Sequence, residues 1–318
     1  MSGPPVVVVA RVLPEPGLGL LEAAATVRSG ALAVDRDELR ARCAGAAALV
    51  TDVIVRVDDE LLEACGPGLR VVANYAVGYD NVDVAACAAR GVVVTNTPGV
   101  LVEATAELAM VLTLAALRRV GEAERDLRAG RWASWSPDGW VGRELRGATV
   151  GVVGPGRIGG RYAELVAAFG ADVVYTSRRP RPDLDITLDA RRVALDELLG
   201  ASDVVSLHVP GGAGVVIDEA AVRRMRPGAV LVNTARGSLV DEAAVARALA
   251  DGHLGAAGLD VFADEPRVSR ALLTAPRAIL LPHIGSATRE ARGAMAELVA
   301  RNVLAVLCGE EPPTPVTP

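Results

Sequence analysis

The chain contains no lysine: all 33 residues of its Lys+Arg count are arginine. A lysine Schiff base is therefore excluded, and a P-loop nucleotidase would lack the lysine that holds its phosphates. Aromatic residues make up only 3% of the chain, so Ala, Val and Leu must fill the interior. The three histidines, His208, His253 and His283, lie far apart in sequence. The four cysteines, Cys43, Cys65, Cys87 and Cys308, include no C-x-x-C pair. Neither pattern suits a zinc cluster, and no metal is expected. Every apolar run stops well short of the roughly 18 residues that suggest a membrane span. With no basic, apolar leader after Met1, the expectation is a reduced, cytoplasmic protein. The net charge of −6 argues against non-specific nucleic-acid binding, which needs excess positive charge.

What is present points to an α/β protein. A length of 318 residues, at about 150 per domain, suggests two domains. Apolar runs at residues 6–12, 46–50, 69–73 and 92–95 read as buried strands, with helical stretches such as 36–43 and 83–90 between them. That alternation implies a parallel sheet covered on both faces. A long helix is expected over 101–119, then an irregular segment, 130–143, that carries Trp132, Trp135 and Trp140. The alternation restarts with strands expected at 148–153, 172–175, 204–207, 229–233, 256–259 and 279–281, and helices at 158–168, 218–225 and 241–250. Six strands with crossovers make one doubly wound unit. The last helix, 288–307, has no strand after it and is expected to return to the first domain. The fold class is therefore two doubly wound parallel-sheet, Rossmann-like domains, one discontinuous (1–100 with 288–318) and one inserted (101–287).

Gly154-Pro155-Gly156-Arg157-Ile158-Gly159 is a G-x-G-x-x-G between a strand and a helix. The first glycine permits a tight turn, the second lets a pyrophosphate approach the backbone, and the third allows close helix–strand packing. Pro155 has no N–H, so the amides of Arg157 and Ile158 must hold the anion. NAD-binding units usually end their second strand with an acid that binds the ribose 2′-OH. Here that strand leads into Thr176-Ser177-Arg178-Arg179. Arg can grip a 2′-phosphate that a carboxylate would repel. NADP(H) is therefore expected over NAD(H), although a solvated arginine pair would look the same.

Ligands bind outside the carboxyl ends of the strands in such sheets. Those ends carry His208-Val209-Pro210, Thr234-Ala235-Arg236-Gly237, Asp260 and His283, with Glu265 just beyond Asp260. This set suits reduction of a 2-keto acid. Arg236 offers a permanently charged fork for a carboxylate, and His283 can protonate the oxygen that becomes an alkoxide. Glu265 on the far ring nitrogen would fix the tautomer and favour imidazolium. His208 reads as a structural hydrogen-bonder and His253, beside Gly252, as a helix-end or solvated residue.

These residues resemble the D-isomer-specific 2-hydroxyacid dehydrogenase family. The likeness lies in Gly78-Tyr79-Asp80-Asn81-Val82-Asp83, the stretch from Gly151 to Gly159, Asn233 to Gly237, Gly258 to Pro266, and Pro282 to Thr288. The resemblance implies a substrate domain and a dinucleotide domain with a cleft that closes over substrate. It puts the catalytic roles on Arg236, Glu265 and His283. It further implies that backbone groups of Val77 and Gly78 meet the substrate carboxylate, and that Thr105, Val209 and Pro210 line the cofactor. Ala235 and Asp260 would hold the nicotinamide carboxamide. A homodimer is implied as well. Within the family the chain most resembles the glyoxylate/hydroxypyruvate reductases, through Arg128 to Trp132, Trp135-Ser136-Pro137 and Tyr175 to Pro180. In those enzymes a tryptophan of this segment reaches the partner's site, which would be Trp135; packing a dimer seam is the other reading. A D-lactate-type dehydrogenase and a non-catalytic dinucleotide-sensing regulator remain the alternatives.

Overall fold

The computed structural model describes residues 3–317. They form two compact units, one made of the chain up to Leu101 together with the stretch from Ser286, the other of Val102–Gly285.

The first unit begins β1 (Val6–Val9), α1 (Gly17–Glu22), β2 (Thr26–Ser29), α2 (Arg36–Cys43) and β3 (Ala48–Thr51). It continues α3 (Asp59–Cys65), β4 (Val71–Asn74), α4 (Val84–Ala89) and β5 (Val93–Thr95). All five strands run parallel in the order β2-β1-β3-β4-β5. The interior strands β3 and β4 are buried at every residue, as near-continuous apolar runs require. The apolar signals mark four strands, and the structure has a fifth. β2 lies on an edge, pairs only with β1 and buries almost nothing, so no apolar run marks it. β1 also stops three residues short of the expected 6–12; Val12 is half exposed and Pro14 follows. Asp35, Asp58 and Asp83 cap α2, α3 and α4 by accepting from amides three residues on, which satisfies otherwise orphaned donors.

The second unit opens with α5 (Val102–Leu117) and α6 (Val120–Arg128), then β6 (Thr149–Val153), α7 (Arg157–Ala168) and β7 (Asp172–Thr176). There follow α8 (Pro182–Leu188), β8 (Arg191–Arg192), α9 (Leu195–Ala201), β9 (Val204–Leu207), α10 (Glu219–Arg224) and β10 (Ala229–Asn233). It closes with α11 (Glu242–Ala250), β11 (Leu254–Leu259), α12 (Arg270–Thr274) and β12 (Ala278–Leu280). Seven parallel strands lie in the order β12-β11-β10-β9-β6-β7-β8. That is one more than the apolar pattern indicates, because the two exposed arginines of β8 pair at the edge beside β7. Chain order reverses at β6, which lies between β7 and β9, and such a switch point opens a crevice at the strands' carboxyl ends. Apolar clusters cover both faces of the sheet, one around Leu207, Leu231 and Leu249, the other around Tyr162, Val150 and Val230.

The chain then returns to the first unit as α13 (Arg289–Cys308), capped by Thr288. This helix packs against α1 and β4. Tyr75 Oη donates to Arg292 O at 2.8 Å, and the Arg292 guanidinium sits 5.8 Å from the Tyr75 ring centroid. No helix among the described residues is long and apolar enough to cross a membrane. Gly17 is required where α1 meets α13: a Cβ there would stand 2.3 Å from the Ala296 carbonyl oxygen and 2.9 Å from its Cβ. Backbone cannot yield as a flexible side chain would. Gly17→Ala is therefore expected to cost about 1–3 kcal/mol, the usual penalty for overpacking, read as a lower guanidinium midpoint with an unchanged slope.

Candidate active site

The turn after β6 takes its shape from its glycines. Gly154 has φ +83°, in the left-handed region that favours glycine, and its amide reaches Thr176 O across to β7 at 3.0 Å. A Cβ on Gly159 would lie 2.6 Å from Gly154 O and 2.9 Å from His208 Cβ. Helix α7 can approach the turn only because that position is bare. Gly156 differs, since a Cβ there would meet no protein atom within 4 Å; packing does not demand this glycine, whereas close approach by a ligand would. Helix α7 has no side-chain cap, unlike α2, α10 and α11, whose N-cap aspartates occupy first-turn amides. Its first-turn amides and its positive dipole end suit a pyrophosphate. At the end of β10, Thr234 Oγ1 is buried with no hydrogen-bond partner among the described residues. The bare turn, uncapped helix and orphaned hydroxyl all fit a bound dinucleotide.

Three strand ends build the acid–base cluster. At the end of β10, buried Asn233 folds the chain back: its Nδ2 donates to Arg236 O at 2.8 Å and its Oδ1 accepts from Ala235 N at 3.0 Å. The next residue, Gly237, starts a short 3-10 turn. A Cβ on it would fall 1.9 Å from the Phe262 carbonyl carbon, so only glycine lets the Arg236 turn sit against the loop after β11. In that loop Glu265 Oε1 accepts from Phe262 N at 2.9 Å, while Oε2 meets His283 Nδ1 at 2.7 Å. His283 follows β12 with φ +56°, a conformation costing roughly 1–2 kcal/mol for most L-residues. Buried Asp260 holds it there. Its carbonyl accepts from His283 N at 2.9 Å, and its carboxylate accepts from Ile284 N at 2.8 Å and Gly285 N at 2.7 Å.

The electrostatics follow from this geometry. Burial pushes the Glu265 carboxyl up, but the His283 hydrogen bond and charge, the Phe262 amide and the Arg236 charge together outweigh it and leave its pKa below the usual value. Glu265 therefore stays a carboxylate beside the imidazole. Burial dominates at Asp260 and raises it to about 6 despite the two amides. His208 is the opposite case. Desolvation lowers it to about 3, so it stays neutral, bonded to Ser206 Oγ at 2.9 Å and tilted against the Tyr162 ring.

Other candidate residues fall as follows. Thr105 is buried and lies beside Gly285, where a Cβ would come 3.4 Å from its Cγ2. Val209 packs on Gly154, and Pro210 is exposed. Ala235 O accepts from Arg236 Nη1 at 2.8 Å. Ser177 Oγ donates to Arg179 O at 2.5 Å, and Arg192 donates to the carbonyls of Ser177 and Arg178. That fixes the loop backbone and leaves Arg178 and Arg179 exposed, neither with a carboxylate partner among the described residues. Trp140 Nε1 donates to Asp126, whereas Trp135 is 78% exposed. Val77 and Gly78 belong to the other unit, in the loop after β4. His253 Nε2 bonds Val222 O and its backbone amide donates to the Asp251 carboxylate, a structural role. Two roles carry no signal in the residue pattern: Asn233 folds its own turn through Arg236 O and Ala235 N, and Gly237 is needed only because of the facing loop.

The chain is also similar to known proteins over nearly its whole length. Residues 110–285 match the family model described as "D-isomer specific 2-hydroxyacid dehydrogenase, NAD binding domain". The chain is 43% identical over 317 residues to a glyoxylate reductase of Thermococcus litoralis, covering 97% of this chain and 96% of the other. A crystal structure of a Thermus thermophilus protein superposes with a TM-score of 0.92 at 44% identity, covering 98% and 100%. An NADPH-dependent glyoxylate/hydroxypyruvate reductase of Sinorhizobium meliloti, solved with NADP and malonate, gives 0.85 at 37%, covering 99% and 97%.

The depressed Glu265 pKa has a pH signature. A carboxyl lowered on folding from its reference of 4.5 stabilises the fold fully above that value and loses this contribution as pH falls through the folded one. The stability gap between wild type and Glu265→Gln should therefore be widest at neutral pH and shrink as pH falls below the reference value of 4.5. Urea melts at several pH values check this, and a gap that widens in acid would contradict it.

Proposed function

Because the chain belongs to the D-isomer-specific 2-hydroxyacid dehydrogenase family, we propose that it reduces glyoxylate or hydroxypyruvate to the D-2-hydroxy acid, with NADPH preferred over NADH. The 2.7 Å bond between His283 Nδ1 and Glu265 Oε2, with the Arg236 charge beside it, carries this reading. The bound nicotinamide supplies the hydride. Glu265 accepts from Nδ1–H and so leaves Nε2 of His283 as the proton donor to the substrate's carbonyl oxygen. The proton leaves Nε2 as the carbonyl oxygen gains negative charge. Arg236 holds the substrate carboxylate, its planar fork matching two oxygens at once. Asp260 keeps His283 in place through the next two amides.

The unit Val102–Gly285 is the dinucleotide-binding domain in this reading, and the other unit supplies substrate contacts through Val77 and Gly78. The amides of Arg157 and Ile158 would hold the pyrophosphate of the bound dinucleotide. Arg178 and Arg179 would hold the 2′-phosphate, a role supported by their exposure, their fixed loop backbone and the lack of an acid at the end of β7. Exposed Trp132 and Trp135 mark the face expected to pair in a homodimer. Purified protein that turns over glyoxylate with NADPH, followed by absorbance, supports the enzyme; binding of NADPH without turnover of any small keto acid points to the sensing regulator.

Two substitutions test the assignments. His283→Ala should lower kcat by about 10²–10⁴-fold, the usual worth of a general acid, while NADPH still binds; near-normal turnover would remove His283 from the proton-donor role. Replacing Arg178 and Arg179 together with alanine should weaken NADPH by about tenfold or more, as expected for lost charge-assisted bonds, and leave NADH nearly unchanged. Equal losses for both would overturn the 2′-phosphate assignment.

A further inference from the structure

The loop after β4 has three consecutive carbonyls fixed from one neighbourhood. Ala76 O accepts from Thr97 N at 2.9 Å, Val77 O from Asn96 Nδ2 at 2.7 Å, and Gly78 O from Asn74 Nδ2 at 2.7 Å. In a trans peptide the C=O and the following N–H point in opposite directions. Holding these carbonyls therefore also aims the amides of Val77, Gly78 and Tyr79, each away from the group that holds its peptide. Among the described residues none of these three amides has an acceptor. A fixed run of such donors forms a concavity that suits an anion.

The clamps are themselves clamped. Asn74 is fully buried and exchanges two 3.3 Å bonds with Asn81, whose Nδ2 also donates to Asp52 O and Val55 O at 2.9 Å each. Asn96 O accepts from Thr314 Oγ1 at 2.7 Å. Thr314 in turn accepts from Asn302 Nδ2 at 2.8 Å and donates its amide to Asn302 Oδ1 at 3.0 Å. The segment after α13 runs beside β5, with Val316 N donating to Val94 O at 2.8 Å.

We propose that Asn74 and Asn96 are positioning residues that aim the amides of Val77, Gly78 and Tyr79 at the carboxylate of the keto acid, with Asn302 and Thr314 bracing Asn96. This rests on the reading that the loop at Val77 and Gly78 receives substrate. The loop has no need of a basic side chain of its own, because three oriented dipoles supply the field. Such a site favours a small planar anion over a neutral carbonyl compound.

The test uses full-length protein, glyoxylate as substrate and oxamate as a non-reacting carboxylate probe. In Asn96→Ala, KM for glyoxylate and the dissociation constant for oxamate should both rise about tenfold, the loss expected when a hydrogen bond to a charged group weakens. Turnover number should fall far less, and NADPH affinity should not move. Thr314→Val, a near-isosteric change remote from the amides, should show the same split at roughly threefold, the lower end for one hydrogen bond. Unchanged KM and oxamate binding in either folded variant would overturn the proposal, as would loss of NADPH affinity in step with them. Wild-type protein that binds oxamate but never reduces glyoxylate would sink the functional reading alone; wild type that binds no oxamate would sink this one.

Discussion

The site depends on backbone meeting backbone at Gly237. With any side chain there, the turn after β10 and the loop after β11 could not close to van der Waals contact, and Arg236 and Glu265 would stand apart. Once they meet, one carboxylate serves two purposes. Glu265 uses one oxygen to fix its own loop through Phe262 and the other to hold the imidazole. Asp260 then supplies the opposite restraint, taking the amides that follow His283. The histidine is thus gripped by ring and backbone, which sustains its left-handed conformation.

Much of this was legible from residue patterns, for identifiable reasons. Interior strands such as β3, β4 and β10 announce themselves because both faces are buried. The strand-end residues could be read as a site because ligand position in an open parallel sheet follows from topology. β2 and β8 could not be read, since edge pairing is a backbone matter and leaves no apolar trace. Neither could Gly237, whose necessity is set by a carbonyl 25 residues later in the chain. Asn74 and Asn96 look like ordinary strand-end polar residues until their acceptors are seen.

The absence of lysine takes on a structural meaning at the same sites. Arginine is the chain's only strongly basic side chain, and it serves here as a planar connector as much as a charge. Arg192 spans two carbonyls of the loop after β7, and Arg181 reaches Gly156 O while pairing with Asp183. A compact ammonium offers no comparable fork. The loops on the dinucleotide side are thus tied by guanidinium groups.

Because Asn96 is braced by Thr314 and Asn302, an early loop owes its shape to residues more than 200 positions downstream. A ribosome must therefore deliver the whole of the inserted unit before the first one can finish folding. The inserted unit, contiguous in sequence, is free to collapse while the peptide is still growing. The earlier-made strands must wait, unsealed, for the returning helix, and the last part of the enzyme to become competent is the part that was synthesised first.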